Sequence, residues 1–132
     1  MAEDGRISGE MLAAMSNELV RLKAHHYGKG PVEAKAYQND DFVFCVMKGG
    51  FTRVEETLIG AGDEALVRTV RLRFQEQMTI AIRDTVERTL GRPVIGYQSQ
   101  IMVNPDYAVE IFLLGKPEDC DALAPPMAPG PS

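Results

Sequence analysis

The sequence predicts an α+β domain in which an αββ unit occurs twice, giving a four-stranded, mainly antiparallel sheet with helices packed on one face. Three observations carry this. Long segments repeat apolar residues at helical spacing, four apolar runs have strand length, and the runs come in pairs joined by Asx-rich turn chemistry. The pairing has an internal echo. "YGKGPV", a strand, Asn39 to Asp41 and the strand "FVFCVM" are followed about 64 residues later by "TLGRPV", a strand, Asn104 to Asp106 and the strand "AVEIFLL".

The first helix is expected from Ile7 to about Tyr27, where Leu12, Met15, Leu19 and Leu22 align one apolar stripe and Ser8 is the N-cap. Gly28 suits a left-handed position after it, and Pro31 cannot continue it. Strands follow at about Val32 to Gln38 and Asp41 to Lys48. "KGGFT" breaks the second strand, and Thr52 with Glu55 makes a capping box for a short helix. With Asp63 as N-cap, Glu64 to Leu90 is the longest periodic stretch and would run about 40 Å if unbroken. That length requires a bend or packing on another subunit. Gly91 and Pro93 end it, and strands follow at Val94 to Val103 and Tyr107 to Leu114.

A chain of 132 residues is one domain. Residues 1–6 are expected to be a disordered N-terminus, 7–114 the folded domain, and 115–132 a disordered tail that carries five of the eight prolines. A net charge of −5 gives no overall pull toward nucleic acid, and no run approaches the ~20 apolar residues of a membrane span. The polar N-terminus lacks the pattern of a signal peptide, so a cytoplasmic location without membrane insertion is expected. Cys45 and Cys120 read as free thiols.

"QNDDF" raises the question of a carboxylate site. Asp40 and Asp41 could work as an acid/base or metal pair, but the matching "NPD" at the second hairpin favours a turn. His25 and His26 are adjacent, which puts them about 100° apart on a helix and excludes an i, i+4 zinc pair. No metal, cofactor or catalytic constellation is expected. Lys48, Gly49, Gly50 and Thr52 form the best anion-site candidate, because glycines admit a ligand to the backbone and a helix N-terminus follows. A plain flexible strand-to-helix turn is the competing reading. Arg68, Arg71 and Arg73 are the densest basic spot and a candidate partner surface.

Glu110 is the odd charge in "AVEIFLL", sharing a face with Ala108, Phe112 and Leu114, and Lys35 lies similarly within the first strand. Pairing across the sheet and a pocket-lining role for Glu110 stand beside the simpler expectation of edge or surface placement. The strands are apolar at consecutive positions, so both sheet faces need covering. Helices supply one cover, and a homodimer is the economical second.

Residues 15–58, with "SNE", "YGKGP", "NDD" and "GG-T", and residues 91–114, with "NPD-AVE", resemble the small bacterial YbcI-like proteins, in a match that covers about residues 14 to 114. That family is also called MpsC, after a sodium-translocating membrane-potential-generating system. The resemblance implies a non-enzymatic accessory or regulatory protein, with a membrane transporter or ion-translocating subunit as a possible partner. It carries over no catalytic residue. The alternative from another class is a small-ligand or anion-binding module acting as a homodimer.

Overall fold

The computed structural model describes residues 5–119. Its elements are α1 (Gly9–Tyr27), β1 (Glu33–Asn39), β2 (Phe42–Lys48), α2 (Arg53–Gly60), α3 (Glu64–Gln77), α4 (Thr79–Leu90), β3 (Val94–Met102) and β4 (Tyr107–Leu114), followed by a 3-10 turn at Pro117–Asp119. The sheet order is β1-β2-β4-β3, and all three pairings are antiparallel. The α+β expectation is therefore met. Each hairpin contributes one central and one edge strand, so the two halves are related by an approximate two-fold axis between β2 and β4.

Period-2 alternation decides which side chains enter the core. Val43, Cys45 and Met47 of β2 and Ala108, Glu110, Phe112 and Leu114 of β4 are buried. They meet Met15 and Leu19 of α1 and Ile82, Val86 and Leu90 of α4 in one cluster. The intervening residues point to the other face.

The helix signals act as expected at four ends. The Ser8 hydroxyl accepts from the Met11 amide, and the Thr52 hydroxyl from the Glu55 amide at 3.1 Å. Gly28 and Gly91 take the left-handed conformation after α1 and α4. At Asp63 the expected side-chain cap does not form, and the Asp63 carbonyl alone accepts from the Val67 amide. The long stretch bends at Met78, where α3 gives way to α4. The Thr79 hydroxyl donates to the Gln75 carbonyl at 3.1 Å there, a back-bond that tilts helices.

The opening carboxylates are turn residues. Asp40 has φ 55° and is exposed, while Asp41 turns away to meet Arg92. Arg92 is 6 % exposed and binds both ends of the described chain. It donates to Asp41 at 2.7 Å, the Gly115 carbonyl at 2.8 Å and the Gly5 carbonyl at 3.4 Å. Gly5 and Gly115 are buried, so the packed region extends slightly beyond 7–114 at both ends. Cys120 and the rest of the expected tail lie outside the described residues.

Gly50 sits at φ +100°, and a Cβ there would come 2.8 Å from the Gly30 carbonyl oxygen and 3.0 Å from Pro31 Cα. Both neighbours are backbone and cannot step aside cheaply. Gly50→Ala should therefore lower the unfolding free energy by about 2 kcal/mol. Urea denaturation checks this, and an unchanged midpoint would show that the close approach is not constraining.

Candidate functional site

Three segments converge beside the β2–β4 end of the sheet. Lys23 and Tyr27 lie one turn apart near the end of α1. Arg71, Phe74 and Gln75 share one face of α3 by their i, i+3, i+4 spacing. The glycine loop brings Gly49 and Gly50 alongside. Together with Asp106 and the floor residues Ile101 and Ala108 they enclose a cleft of about 430 Å³, its open mouth included.

One wall is built around Glu55, only 4 % exposed. Arg71 grips its carboxylate with two parallel bonds, Nε to Oε2 at 2.8 Å and Nη2 to Oε1 at 3.0 Å. The Thr52 amide donates to Oε1 at 2.9 Å and the Tyr27 hydroxyl to Oε2. Thus one carboxylate caps α2 and ties it to α1 and α3. Arg71 also donates to Asp106 at 3.2 Å and to the Gly50 carbonyl at 3.3 Å, and its guanidinium lies 4.7 Å from the Phe51 ring centre. Burial raises the Glu55 pKa, but the bonds from Arg71, Tyr27 and Thr52 outweigh it and hold the carboxyl below its usual range. Burial, with the Glu55 carboxylate beside it, pushes the Tyr27 hydroxyl up to about 12. Asp106 is pushed up, because burial exceeds the help it receives from Arg71.

The second wall leads to Glu110, which is fully buried. Ser99 donates to its Oε2 at 3.0 Å, Lys23 reaches the same oxygen at 3.4 Å, the Gln75 amide donates to it, and the Tyr97 hydroxyl donates to Oε1. Tyr97 is driven far up by burial and the adjoining carboxylate. Gln75 is 3 % exposed, and its amide carbonyl Oε1 has no hydrogen-bond partner among the described residues. Cys45 faces Glu110 in the β2–β4 register, and burial pushes its thiol up to about 11. It is a packed thiol beside the Ser16 hydroxyl at 3.8 Å.

The fold divides the candidate residues. Gly49 and Gly50 line the cleft, and Arg71 forms its wall. Lys48 points to the other sheet face, with its ammonium 3.9 Å from Glu33 and over the Tyr107 ring. The Thr52 hydroxyl is occupied by its cap. Arg68 donates to the Ile101 carbonyl at 3.3 Å, and Arg73 is exposed. Glu110 is neither an edge nor a surface residue, and its cation is Lys23 of α1. Lys35 lies on the opposite face, over the Tyr37 ring. Asp40, Asp41 and Glu110 do not share a pocket. Lys23, Tyr27 and Gln75 were not singled out from the sequence, and Glu55 only as a capping residue. The available signal was that Arg71 and Gln75 lie on the same helical face as the apolar Val67, Phe74 and Met78.

A family model described as "Na+-translocating membrane potential-generating system (MpsC)" matches residues 8–116. The chain belongs to the MpsC family. No curated protein and no solved structure matches it. The MpsC match spans every helix and strand of the sheet domain. Among the described residues no helix is long and apolar enough to cross a membrane, and no group of three or more His, Cys, Asp and Glu is placed to hold a metal ion.

Glu55 and Asp106 should show opposite pH signatures. The Glu55 carboxyl is depressed in the folded state, so its stabilisation is present at neutral pH and is lost as pH falls through its folded pKa. The Asp106 carboxyl is raised, so the folded state takes up its proton first and gains relative stability as pH falls. Between pH 7 and about 3, the stability advantage of wild type over Glu55→Gln should shrink, and that over Asp106→Asn should grow. Arg71→Met, which strands both carboxylates, should cost about 3–5 kcal/mol at pH 7. Urea titrations across the pH range measure all three, and parallel pH curves would contradict the assignment.

Proposed function

We propose that this MpsC-family protein is a non-enzymatic accessory or regulatory component of a sodium-translocating, membrane-potential-generating system, acting at the cytoplasmic side as a homodimer. In this reading the membrane-embedded ion path belongs to a separate subunit, and the dimer reaches the membrane only through that partner. The observation that carries it is the second face of the sheet. Phe42, Phe44 and Val46 of β2 stand opposite Leu113, Ile111 and Val109 of β4, three apolar pairs on the face away from the helical core. Tyr37 and Met102, about half exposed, extend the patch over both edge strands.

Contiguous apolar surface of this kind, half-buried at its centre and exposed at Phe42, Tyr37 and Met102, supports a contact site. Lys35, Glu33 and Lys48 rim one side and Gln98 and Gln100 the other, which gives the apolar centre and polar border of an interface. A second copy is the occupant that fits best. A two-fold axis between copies sets this apolar patch against itself in an isologous contact.

Val46→Glu tests the dimer. The new carboxylate faces Lys35 across the β1–β2 register, which lets the monomer tolerate it, yet it puts a charge in the middle of the apolar patch. Light scattering should find a wild-type dimer and a variant whose dissociation constant is raised roughly a hundredfold or more. A wild-type monomer at high concentration would reject the dimer. The accessory role is tested by mild-detergent purification from source cells. A stoichiometric integral-membrane ion-translocating subunit should accompany the protein, and recovery of the protein alone would count against that role.

A further inference from the structure

We propose that the outer edge of β1 takes an extended segment of a partner protein as an antiparallel fifth strand of the sheet, with an acidic residue of that segment opposite Lys35. The edge is set by strand register and bonding, and it depends on neither the homodimer nor the membrane partner.

An open sheet has two edges, and this fold treats them differently. The Leu114 amide donates to the Asp41 carbonyl and the Gly49 amide to the Asp106 carbonyl, so even-numbered residues of β4 bond β2 and odd-numbered ones bond β3. Through the β3–β4 register, Tyr97, Ser99 and Ile101 turn their backbone groups outward. Helix side chains close that edge at both ends. The Val94 amide donates to Glu87 at 2.7 Å, Arg83 donates to the Val94 carbonyl at 2.6 Å, and Arg68 donates to the Ile101 carbonyl at 3.3 Å. A strand added there would have to displace all three.

β1 is the open edge. Its two-residue turn, Asp40 and Asp41, is closed by the hydrogen-bonded pair of Asn39 with Phe42. Bonded pairs then alternate along the hairpin, so Ala34, Ala36 and Gln38 direct their amides and carbonyls away from β2. Among the described residues no hydrogen bond from another element reaches these groups. Such an edge is a template for a further strand. Lys35 selects which strand. It is exposed, lies over the Tyr37 ring and has no carboxylate at ion-pair distance among the described residues. A second copy paired about Ala36, the register that uses the whole strand Glu33–Asn39, would set Lys35 opposite Tyr37 and leave both lysines without a counter-charge. An acidic residue opposite Lys35 supplies that charge. On the other face Ala34 and Ala36 are small and pack against the core, so apolar residues opposite them extend it.

The test uses the full chain, amide hydrogen exchange read by NMR, and the peptide acetyl-Thr-Val-Tyr-Val-Glu-Val-Thr-amide, whose Glu stands opposite Lys35 when its Tyr is opposite Tyr37. Saturable binding should slow exchange at Ala34, Ala36 and Gln38 and leave the β3 amides of Tyr97 and Ser99 unchanged. A peptide with Lys in place of the Glu should bind at least about threefold more weakly. Lys35→Glu, at an exposed position, should invert that order, a result that loss of folding cannot mimic. A peptide with Pro in place of the central Val, which cannot donate to the Ala36 carbonyl, should not bind. Absence of saturable binding, protection on β3 instead, or a charge preference that Lys35→Glu leaves unchanged each overturns the proposal. So does protection of the β1 edge that grows with protein concentration alone, since the edge then takes a second copy.

Discussion

The bidentate pair between Arg71 and Glu55 holds together parts of the chain that have little else in common. Through it the short α2, the bent α3, the end of α1, the glycine loop and the second hairpin tip meet in one place. A buried ion pair is a poor source of net stability, because desolvation consumes most of its attraction. Its effect here is geometric. The Glu55 carboxylate has four donors around it and Arg71 has fixed directions, so the α2 crossover can lie in only one way. An apolar pair of similar volume would bury as well, but it would not fix the angle at which the glycine loop passes the cleft.

The two halves of the fold use the same device with different results. The Asp41 carbonyl accepts from the Leu114 amide and the Asp106 carbonyl from the Gly49 amide, so each hairpin-tip aspartate extends the central β2–β4 ladder at one end. Each aspartate side chain then takes an arginine, Arg92 at one end and Arg71 at the other. At the Arg92 end the surroundings close around Gly5 and Gly115 and leave a structural clasp. At the Arg71 end the α2–α3 insertion has no counterpart in the first half of the chain, and a cleft remains. The asymmetry between nearly equivalent ends is what leaves a cleft at one of them.

The fold was largely legible because its signals are local. Ser8, the Thr52–Glu55 box, Gly28 and Gly91 act within a few residues, and the Asx turns repeat at both hairpins. The bend at Met78 was less legible, since a periodic pattern continues through a bend. The site was harder for a physical reason. Glu110 stood out as a charge on an apolar face, but its partner Lys23 is 87 positions away and comes from a helix, not from the neighbouring strand. Lys35 was misleading because the β1–β2 register sends it to the opposite face, opposite Val46. Glu55 was visible as a capping residue, and nothing local says that the same carboxylate also receives Arg71 and Tyr27.

The glycines of "KGGFT" show how one local signal serves two purposes. Their positive φ and their contacts with Val32, Gly30 and Pro31 are requirements of the crossover itself. The same close passage brings backbone rather than side chains to the rim of the cleft, and it carries the Gly50 carbonyl to Arg71. Lys48 and Thr52, the charged and hydroxyl-bearing ends of the motif, face elsewhere or are already bonded. What the loop offers is therefore space, while Lys23 and Gln75, the polar residues behind it, are bonded to Glu110. Both of these report to one buried carboxylate. Glu110 lies in the middle of β4, directly opposite Cys45 of β2 and one register position from the apolar pairs of the other face. The sheet is the physical connection between the cleft and the surface on which a second copy would sit.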